Sequence, residues 1–264
     1  MKTSILLPAF KRPHLLNLGL ASLQHFKPVV DYEILVLNDG VEDDTEYVCK
    51  KYEDSLNIKY IFTGQRNLDG NIKKRVPGFA LNIGIKQAQG DAIILSCPEM
   101  YHLNNSIDMI SKTLEQNQKC MVIPNFVYFD QSNIVTQNLL KQAAFDTNVN
   151  TSLLQGGNFG SCHCEMPYVF GLMKKELTNI GGYDEDFIGY AGEDCDLIER
   201  LKLNGLTYKK VEAEAIHLYH EGTNDGGYHW NNPDWLINWN LLQERKGIIV
   251  RNIGKEWGTI DGKK

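Results

Sequence analysis

Ser-Ile-Leu-Leu-Pro-Ala-Phe-Lys-Arg at residues 4–12 and Glu-Ile-Leu-Val-Leu-Asn-Asp-Gly at residues 33–40 share one layout. Each begins as a short apolar run and ends at residues that favour turns. The alternation continues with two more apolar runs, at 58–62 and 92–95, and three helical patterns, at 15–26, 44–52 and 79–89. Strands that alternate with helices are typical of βαβ units, so the sequence predicts an α/β fold with a parallel sheet.

The carboxyl ends of the predicted strands are the expected location of a ligand site. In open parallel sheets, ligands bind beyond these ends, at the point where the order of the strands reverses. That rule selects residues 8–12, 38–40 and 96–102 as site candidates. Because the rule uses the fold class alone, it identifies a place in the fold and leaves the chemistry open.

Composition and charge narrow the class of protein. The 264 residues are 42% hydrophobic and 23% charged, which is ordinary for a globular protein, and the formal net charge is −6. A nucleic-acid-binding surface would need a basic face, so no nucleic-acid partner is expected. No apolar run is long enough to span a membrane, and Met1-Lys2-Thr3 leads directly into a predicted strand. With no visible export signal and six scattered cysteines, a cytoplasmic protein with reduced thiols is expected.

A glycine-rich acidic stretch lies in the second half of the chain. It reads Gly-Gly-Tyr-Asp-Glu-Asp-Phe at residues 181–187 and Gly-Tyr-Ala-Gly-Glu-Asp-Cys-Asp at residues 189–196. The apolar spacing that follows predicts a helix over 193–204. Carboxylates at a helix N-terminus face the positive end of the dipole, which favours their ionised form and suits a general base. An acidic first turn is the alternative interpretation, but several carboxylates among glycines favour a site.

This stretch resembles the acceptor-side motif of GT-A glycosyltransferases, of the family 2 type and of the β-1,4-galactosyltransferases, which carry tryptophan in place of Tyr190. With the N-terminal segments, the resemblance covers residues 3–221. It implies a GT-A, Rossmann-like domain over 1–221, whose mostly parallel sheet is flanked by helices. A nucleotide-sugar half would occupy about 1–103 and an acceptor half about 104–221. A helical C-terminal extension would follow at 222–264.

The resemblance also implies roles for individual residues. Asp194 would be the base that deprotonates the acceptor, with Glu193 as the second catalytic candidate. Tyr190 and Gly192 would bind the acceptor. The donor would be bound by residues from four segments: Pro8, Ala9, Arg12, Asp39, Arg75, Gly78, Asn82, Pro98 and Glu99.

The resemblance implies a specific contact for Asp39 and for Gly78, and the residues leave an alternative for Asp39 and for Asn82. Asp39 would accept the ring N–H of uracil, although an aspartate in Asn-Asp-Gly is equally consistent with a simple turn. Gly78 stands at the start of a predicted helix, where backbone N–H groups can face a diphosphate. Asn82 lies in the same segment and could equally be a packing or capping residue.

The metal-binding motif of the resembled family is altered in this chain. Where most members have Asp-x-Asp, residues 97–99 read Cys-Pro-Glu, so that Glu99 replaces the second aspartate. Cysteine is a poor ligand for hard cations, so binding of Mn²⁺ or Mg²⁺ is expected to be weak or absent. By resemblance, His217 and His220 are the candidates to complete the site, with one of them sufficient as a ligand and the other then only packing or hydrogen-bonding. If residues 215–220 are a strand, the two histidines share a face only where the segment turns.

Two other histidine-containing segments are weaker candidates for metal binding. His102 is expected to be a surface residue. Cys162, His163 and Cys164 lie in a glycine-rich loop at 155–165, but adjacent ligands do not match the spacing of zinc sites. That loop is expected to order over bound donor.

The function that the resemblance implies is transfer of a sugar from a nucleotide diphosphate, a UDP-sugar, to a hydroxyl of a carbohydrate or glycoconjugate acceptor, with inversion. A catalytically inactive carbohydrate-binding or assembly protein is the first alternative, because Asp-x-Asp is lost. A nucleotidyltransferase is the second, and the lack of glycine in residues 8–12 disfavours it.

Overall fold

The computed structural model describes residues 1–66, 74–143, 154, 157, 159–162, 166–189, 191–221 and 233–260. The expectations for Tyr190 and for most of the loop at 155–165 therefore fall outside the described residues. The strands are β1 Thr3–Ala9, β2 Tyr32–Gly40, β3 Ile58–Gln65, β4 Ala92–Ser96, β5 Met100–His102, β6 Cys120–Asp130, β7 Phe159–Cys162, β8 Val169–Met173 and β9 Thr207–His217. The helices are α1 Pro13–His25, α2 Thr45–Lys50, α3 Pro77–Gln87, α4 Ser106–Gln116, α5 Ile134–Ala143, α6 Lys174–Asn179, α7 Glu193–Leu203 and α8 Pro233–Glu244.

These strands form one sheet in the order β3-β2-β1-β4-β8-β6-β9-β5, with β7 paired to β6. The first four are mutually parallel. Because β8 is antiparallel to both β4 and β6, and β9 is parallel to β6, strands β6 and β9 run in the same direction as β1. The predicted α/β fold with a mostly parallel, helix-flanked sheet is confirmed.

Alternate side chains of the parallel strands enter two separate hydrophobic cores. Ile5 and Val36 pack with α1 and α4 on one face of the sheet, whereas Leu6 and Leu35 pack with α3 and α7 on the other. Every residue of β2 is buried. Strands covered on both faces must be apolar throughout, which explains why the sequence shows continuous apolar runs there.

The order of the strands reverses beside β1. The chain passes from β1 to β2 and β3 on one side, then crosses to β4 on the other side of β1. The loops after β1 and β4 therefore diverge and leave a crevice at this edge of the sheet. This is the edge that the sequence selects for a ligand site.

The second half of the sheet brings distant segments to the same edge. Strand β9 ends at His217, which pairs with Met100 of β5. The Leu218 backbone N–H then donates to the Glu99 carbonyl at 3.0 Å. Strand β9 ends at His217, and the rings of His217 and His220 lie 5.1 Å apart, so the two histidines share one side.

The C-terminal segment packs over the glycine-rich loop at 181–192. The side chain of Asn238, on α8, bonds the backbone N–H and C=O of Ile188 and the C=O of Ala191. Asn252 donates to the carbonyl oxygens of Gly181 and Tyr183 at 2.8 and 2.7 Å. Helix α8 lies where the sequence predicts a helical C-terminal extension. We call residues 233–260 the C-terminal clamp, because their side chains hold the loop through these hydrogen bonds.

In the described part of the chain, no helix is both long enough and apolar enough to cross a bilayer.

Candidate active site

A cleft of about 880 Å³ opens at the carboxyl ends of β1, β2 and β4. All three segments that the fold rule selects contribute to its wall. Six of the nine predicted donor-binding residues line it, together with both predicted catalytic carboxylates and one predicted metal ligand: Pro8, Arg12, Asp39, Arg75, Pro98, Glu99, Glu193, Asp194 and His220. Local sequence explains the placement of Arg12, because Pro13 starts α1 directly after it.

Three predicted donor-binding residues lie behind the wall of the cleft. Ala9 is fully buried in the hydrophobic core. A Cβ on Gly78 would lie 2.6 Å from the Tyr183 ring, so this glycine allows helix α3 to approach that ring. Asn82 is fully buried and bonds both the N–H and the C=O of Tyr183, at 2.8 and 2.9 Å. The structure shows packing or positioning contacts for all three, and their contact with a donor stays a prediction.

Gly192 stands at the N-cap of α7 with a φ of +99°. A Cβ there would lie 2.8 Å from the Phe187 ring and 3.3 Å from Asn238. Both the backbone conformation and the packing therefore require glycine at this position. The predicted contact with an acceptor would have to come from its backbone.

Asp194 is held by a buried tyrosine. The Tyr183 hydroxyl donates a hydrogen bond to Asp194 Oδ1 at 3.2 Å. The Tyr183 ring is fully buried, and its backbone is fixed by Asn82 and Asn252. Tyr183 therefore has little freedom to move away from Asp194, and it also lines the cleft. Asp194 is thus directed into the cleft from a fixed position.

Burial decides the protonation of the two carboxylates at the start of α7. It raises the pKa of Asp194, against the hydrogen bond from Tyr183. It raises the pKa of Glu193 further, with the charge of Asp194 as the second cause. Burial therefore opposes the effect of the helix dipole, which favours the ionised form, and it does so more strongly at Glu193 than at Asp194. A raised pKa suits Asp194 for proton transfer near neutral pH, whereas Glu193 remains protonated more easily.

The other acidic residues of the motif have structural partners. Arg251 forms ion pairs with Asp184 at 3.0 Å and with Asp196 at 2.7 Å. Arg200 adds a second bond to Asp196 at 2.7 Å, and Arg245 pairs with Asp184. These carboxylates hold the C-terminal clamp in place. The acidic cluster that suggests one site thus divides, and only Glu193 and Asp194 line the cleft.

Glu99 is the centre of a second cluster in the cleft. Its Oε1 accepts from Arg12 Nη1 at 2.9 Å and lies 3.1 Å from His220 Nε2 and 3.7 Å from His217 Nε2. Burial alone would raise the pKa of Glu99, but the hydrogen bond from His220 and the charge of Arg12 act in the opposite direction and lower it to about 2. Burial lowers the pKa of His217. The carboxyl is therefore an anion and His217 favours its neutral form, which are the states that metal ligands require.

These residues also fit a cation geometrically. The Cys97 Sγ, a Glu99 carboxylate oxygen and a His217 ring nitrogen lie within 4.8 Å of one another. Glu99 Oε2 is buried and has no hydrogen-bond partner among the described residues. A buried anionic oxygen without a partner is costly unless a further group neutralises it. The cluster is thus suited to hold a divalent cation.

Asp39 lines the cleft, but its carboxylate already has protein partners. Its Oδ1 pairs with Arg66 Nε, and Thr63 Oγ1 lies 3.4 Å away. Burial raises the pKa of Asp39 to about 6, while Arg66 acts in the opposite direction. The guanidinium groups of Arg66 and Arg75 both lie over the Phe79 ring, at 4.3 and 3.6 Å from its centroid. Of these two guanidinium groups, Arg75 lines the cleft, whereas Arg66 is buried behind the wall and pairs with Asp39.

His102 is not a surface residue. Its side chain is buried on β5, with Nδ1 at 3.0 Å from Ser106 Oγ, and burial lowers its pKa to about 4. It does not line the cleft as far as the chain is described.

Sequence reasoning missed two sets of cleft residues, and it also missed Arg66, which is buried beside Asp39 and does not line the cleft. Tyr183 is inside the quoted motif, yet nothing in the motif shows that its hydroxyl reaches Asp194. Arg66 follows β3 without any local signal. Asn133, Thr136 and Gln137, at and near the start of α5, line the cleft from a segment for which the sequence predicts no element.

Comparison with known proteins identifies the family and the fold. A model of "Glycosyl transferase family 2" matches residues 4–177, which is more than half of the chain. The chain belongs to glycosyl transferase family 2. A second model, "N-terminal domain of galactosyltransferase", matches residues 166–221 of this family 2 chain. The two matches overlap at residues 166–177 and confirm the resemblance to the two families, whereas the specific acceptor motif stays a prediction.

Relatives of this family 2 chain are more distant. It is 25% identical over 252 residues to a chondroitin synthase of Pasteurella multocida, covering 83% of this chain and 24% of the relative. It is 24% identical over 254 residues to a validoxylamine A glucosyltransferase of Streptomyces hygroscopicus, covering 84% and 56%. The chain thus spans about a quarter to a half of the length of these relatives.

Solved structures share its fold. Staphylococcus aureus TarS 1–349, in complex with UDP-GlcNAc, superposes with a TM-score of 0.64 at 17% identity, covering 92% of this chain and 65% of that one. The mannosyltransferase PcManGT of Pyrobaculum calidifontis, in complex with GDP-Man and Mn²⁺, superposes with a TM-score of 0.52 at 13% identity, covering 90% and 60%.

Proposed function

We propose that this chain transfers a sugar from a nucleotide diphosphate donor, a UDP-sugar, to a hydroxyl of a carbohydrate or glycoconjugate acceptor, with inversion at the anomeric carbon. One observation carries the proposal. Asp194 and the cluster around Glu99 line the same cleft, at the edge of the sheet where nucleotides bind in this fold class. One group can accept a proton there while the other offsets the charge of a leaving diphosphate.

The proposed base is Asp194. The acceptor oxygen attacks the anomeric carbon, the bond from that carbon to the diphosphate oxygen breaks, and Asp194 takes the acceptor proton. Tyr183 keeps the Asp194 carboxylate aimed at the cleft through its hydrogen bond. Attack from the side opposite the leaving group inverts the anomeric carbon. Glu193, whose pKa is raised further, is the reserve candidate.

In this proposal, the leaving diphosphate lies against the basic side of the cleft. Lys11, Arg12, Lys74 and Arg75 all line it. Cations placed where negative charge develops stabilise the transition state. Glu99, His217 and His220 would hold a divalent cation, Mn²⁺ or Mg²⁺, which when bound supplies further positive charge to the diphosphate. The reported complexes of the two structural neighbours with nucleotide sugars, one of them with Mn²⁺, support this assignment.

The proposed preference for uracil rests on Asp39. A carboxylate at the end of β2 can accept the ring N–H of uracil, whereas cytosine offers an acceptor at that position. Arg66 occupies Oδ1 of this carboxylate, so the base would be read by the second oxygen. The stacked Arg75 and Phe79 are then next to the base or its phosphates.

The proposal is tested by screening nucleotide sugars for hydrolysis and transfer by the purified chain, with and without Mn²⁺. We expect turnover of a UDP-sugar by the wild type and a strong loss in Asp194→Asn, with UDP binding retained. Saccharide binding without any turnover, by a folded chain and with the full donor panel, would favour the inactive binding protein instead.

A further inference from the structure

The ligand set around Glu99 is chemically mixed. It offers a sulfur from Cys97, an oxygen from Glu99 and ring nitrogens from His217 and His220. Mg²⁺ strongly prefers oxygen ligands in a nearly octahedral arrangement. Thiolate and imidazole ligands suit ions such as Zn²⁺ and Co²⁺, which accept four mixed ligands in a tetrahedral site.

The protein framework holds these ligands close together before any ion is bound. Cys97 follows β4 directly, and its backbone N–H donates to the Tyr168 carbonyl at 3.1 Å. The His217 ring stacks on Phe129, with centroids 5.0 Å apart, and meets the edge of Tyr168 at 5.4 Å. Tyr168 thus anchors Cys97 through its backbone and His217 through its ring. The Cys97 sulfur and a His217 ring nitrogen lie within 4.8 Å of each other, so only a small movement is needed for both to reach one ion.

The buried oxygen of Glu99 is the observation that points to an occupant. Oε1 is engaged by Arg12 and His220, but Oε2 has no partner in the described part of the chain although Glu99 is 4% exposed. A carboxylate oxygen of Glu99 lies within 4.8 Å of both the Cys97 Sγ and a ring nitrogen of His217. An ion bound by the Glu99 carboxylate at this place would supply the positive charge that its buried, unpaired oxygen lacks.

We propose that Cys97 is a thiolate ligand of this site and that the site takes a thiophilic divalent cation, of the Zn²⁺ or Co²⁺ type, in preference to Mg²⁺. On binding, the Cys97 thiol loses its proton to solvent and the sulfur forms a bond to the ion. The inference deepens the proposed function and rests on its metal site, but not on the transfer reaction. Cys97 weakens the binding of hard cations, and by the same chemistry it favours a thiophilic cation.

Co²⁺ is the probe for the first test, because a thiolate bound to Co²⁺ gives a charge-transfer absorption band in the near ultraviolet. The full chain is titrated with Co²⁺ alone, and then with Mg²⁺ as competitor. We expect the band in the wild type, its persistence in excess Mg²⁺, and its loss in Cys97→Ser with Co²⁺ binding weakened by at least about tenfold. Cys97→Asp should restore competition by Mg²⁺, because it supplies a hard oxygen.

Two controls separate Cys97 from other thiols. Cys195→Ser removes an exposed thiol on α7 and should leave the band unchanged. The double variant Cys162→Ser/Cys164→Ser should also retain it, and loss of the band in that variant would overturn the proposal. If Cys97→Ser does not fold, wild-type chain is alkylated with and without Zn²⁺. Peptide mass spectrometry should then show Cys97 protected by Zn²⁺ and Cys195 unprotected.

In the Co²⁺ titration, three results would contradict the inference: no band in the wild type, a band that survives in Cys97→Ser, or displacement of Co²⁺ by equimolar Mg²⁺. In the alkylation experiment, equal alkylation of Cys97 with and without Zn²⁺ would contradict it. Failure of the proposed function is distinguishable, because the Co²⁺ band would then persist in a chain that turns over no donor. Turnover of donor by a chain without the band would overturn the thiolate proposal alone.

Discussion

Replacing Tyr183 by phenylalanine removes one hydroxyl and leaves the packing of the ring unchanged. The lost hydrogen bond, 3.2 Å from Tyr183 Oη to Asp194 Oδ1, stabilises the ionised carboxylate. Burial and the charges of Asp194 and Glu193 raise the pKa of Tyr183 well above 10, so the tyrosine is always the donor. Hydrogen bonds to charged groups contribute about 1.5–3 kcal/mol, and the length of this one places it at the lower end. One pKa unit corresponds to about 1.4 kcal/mol, so Tyr183→Phe should raise the pKa of Asp194 by about one unit.

The assay is the pH profile of kcat/KM for donor turnover. The base acts when deprotonated, so activity rises with pH through its pKa, and a raised pKa moves the acidic limb to higher pH. We expect that limb to shift upward by about one unit in Tyr183→Phe, with the rate at high pH nearly unchanged. Tyr101→Phe is the matched control, since the buried Tyr101 hydroxyl has no hydrogen-bond partner among the described residues. An acidic limb that does not move in Tyr183→Phe would refute Asp194 as the titrating base.

Further predictions concern the base, the nucleotide, the cation and the clamp. Asp194→Asn should reduce turnover by about a hundredfold or more, measured as kcat with folding checked by circular dichroism, and near wild-type transfer would reject it as the base. Calorimetry should show UDP binding more tightly than CDP or GDP and a smaller preference in Asp39→Ala, whereas equal affinities would exclude Asp39 as the reader of uracil. EDTA should lower the rate of sugar transfer, and an added divalent cation should restore it. The Glu99→Gln variant should need a higher concentration of that cation. A transfer rate that EDTA does not change would remove the cation from the mechanism. Arg251→Met leaves two buried carboxylates with fewer partners, at a cost of about 3 kcal/mol, and should lower Tm by roughly 6–12 °C. Lys255→Met, which breaks an exposed ion pair, should change Tm by less than about 2 °C, and equal shifts would show that the clamp network is not stabilising.

Local patterns determined the first half of the fold. The apolar runs at residues 4–7 and 33–37 lie inside β1 and β2, and the predicted helix at 193–204 matches α7 within one residue. Periodicity is a property of neighbours along the chain, so the sequence contains it directly. The same is true of the strand ends, where Pro8, Asp39 and Glu99 were placed at one edge by a rule that needs only strand order. The domain boundaries remain a prediction.

Only the tertiary structure decided how distant residues share the cleft. The pairing of β5 with β9 sets His217 beside Glu99, although more than a hundred positions separate them in the chain. No local pattern encodes that register, because it depends on how β6, β8 and β9 assemble. The contact from Tyr183 to Asp194 likewise depends on the clamp that fixes residues 181–192.

The acidic residues of the glycine-rich motif show most clearly which properties the sequence contains and which the fold adds. The sequence placed several acidic residues in one motif and identified the start of α7 as their position, but it assigned them one shared environment. The fold gave Asp184 and Asp196 buried arginine partners and left Glu193 and Asp194 at the cleft. Burial then raised the pKa of those two, where the helix dipole alone would have lowered it. Residue type and spacing are written in the sequence, whereas desolvation and charge partners exist only once the segments that supply them have packed together.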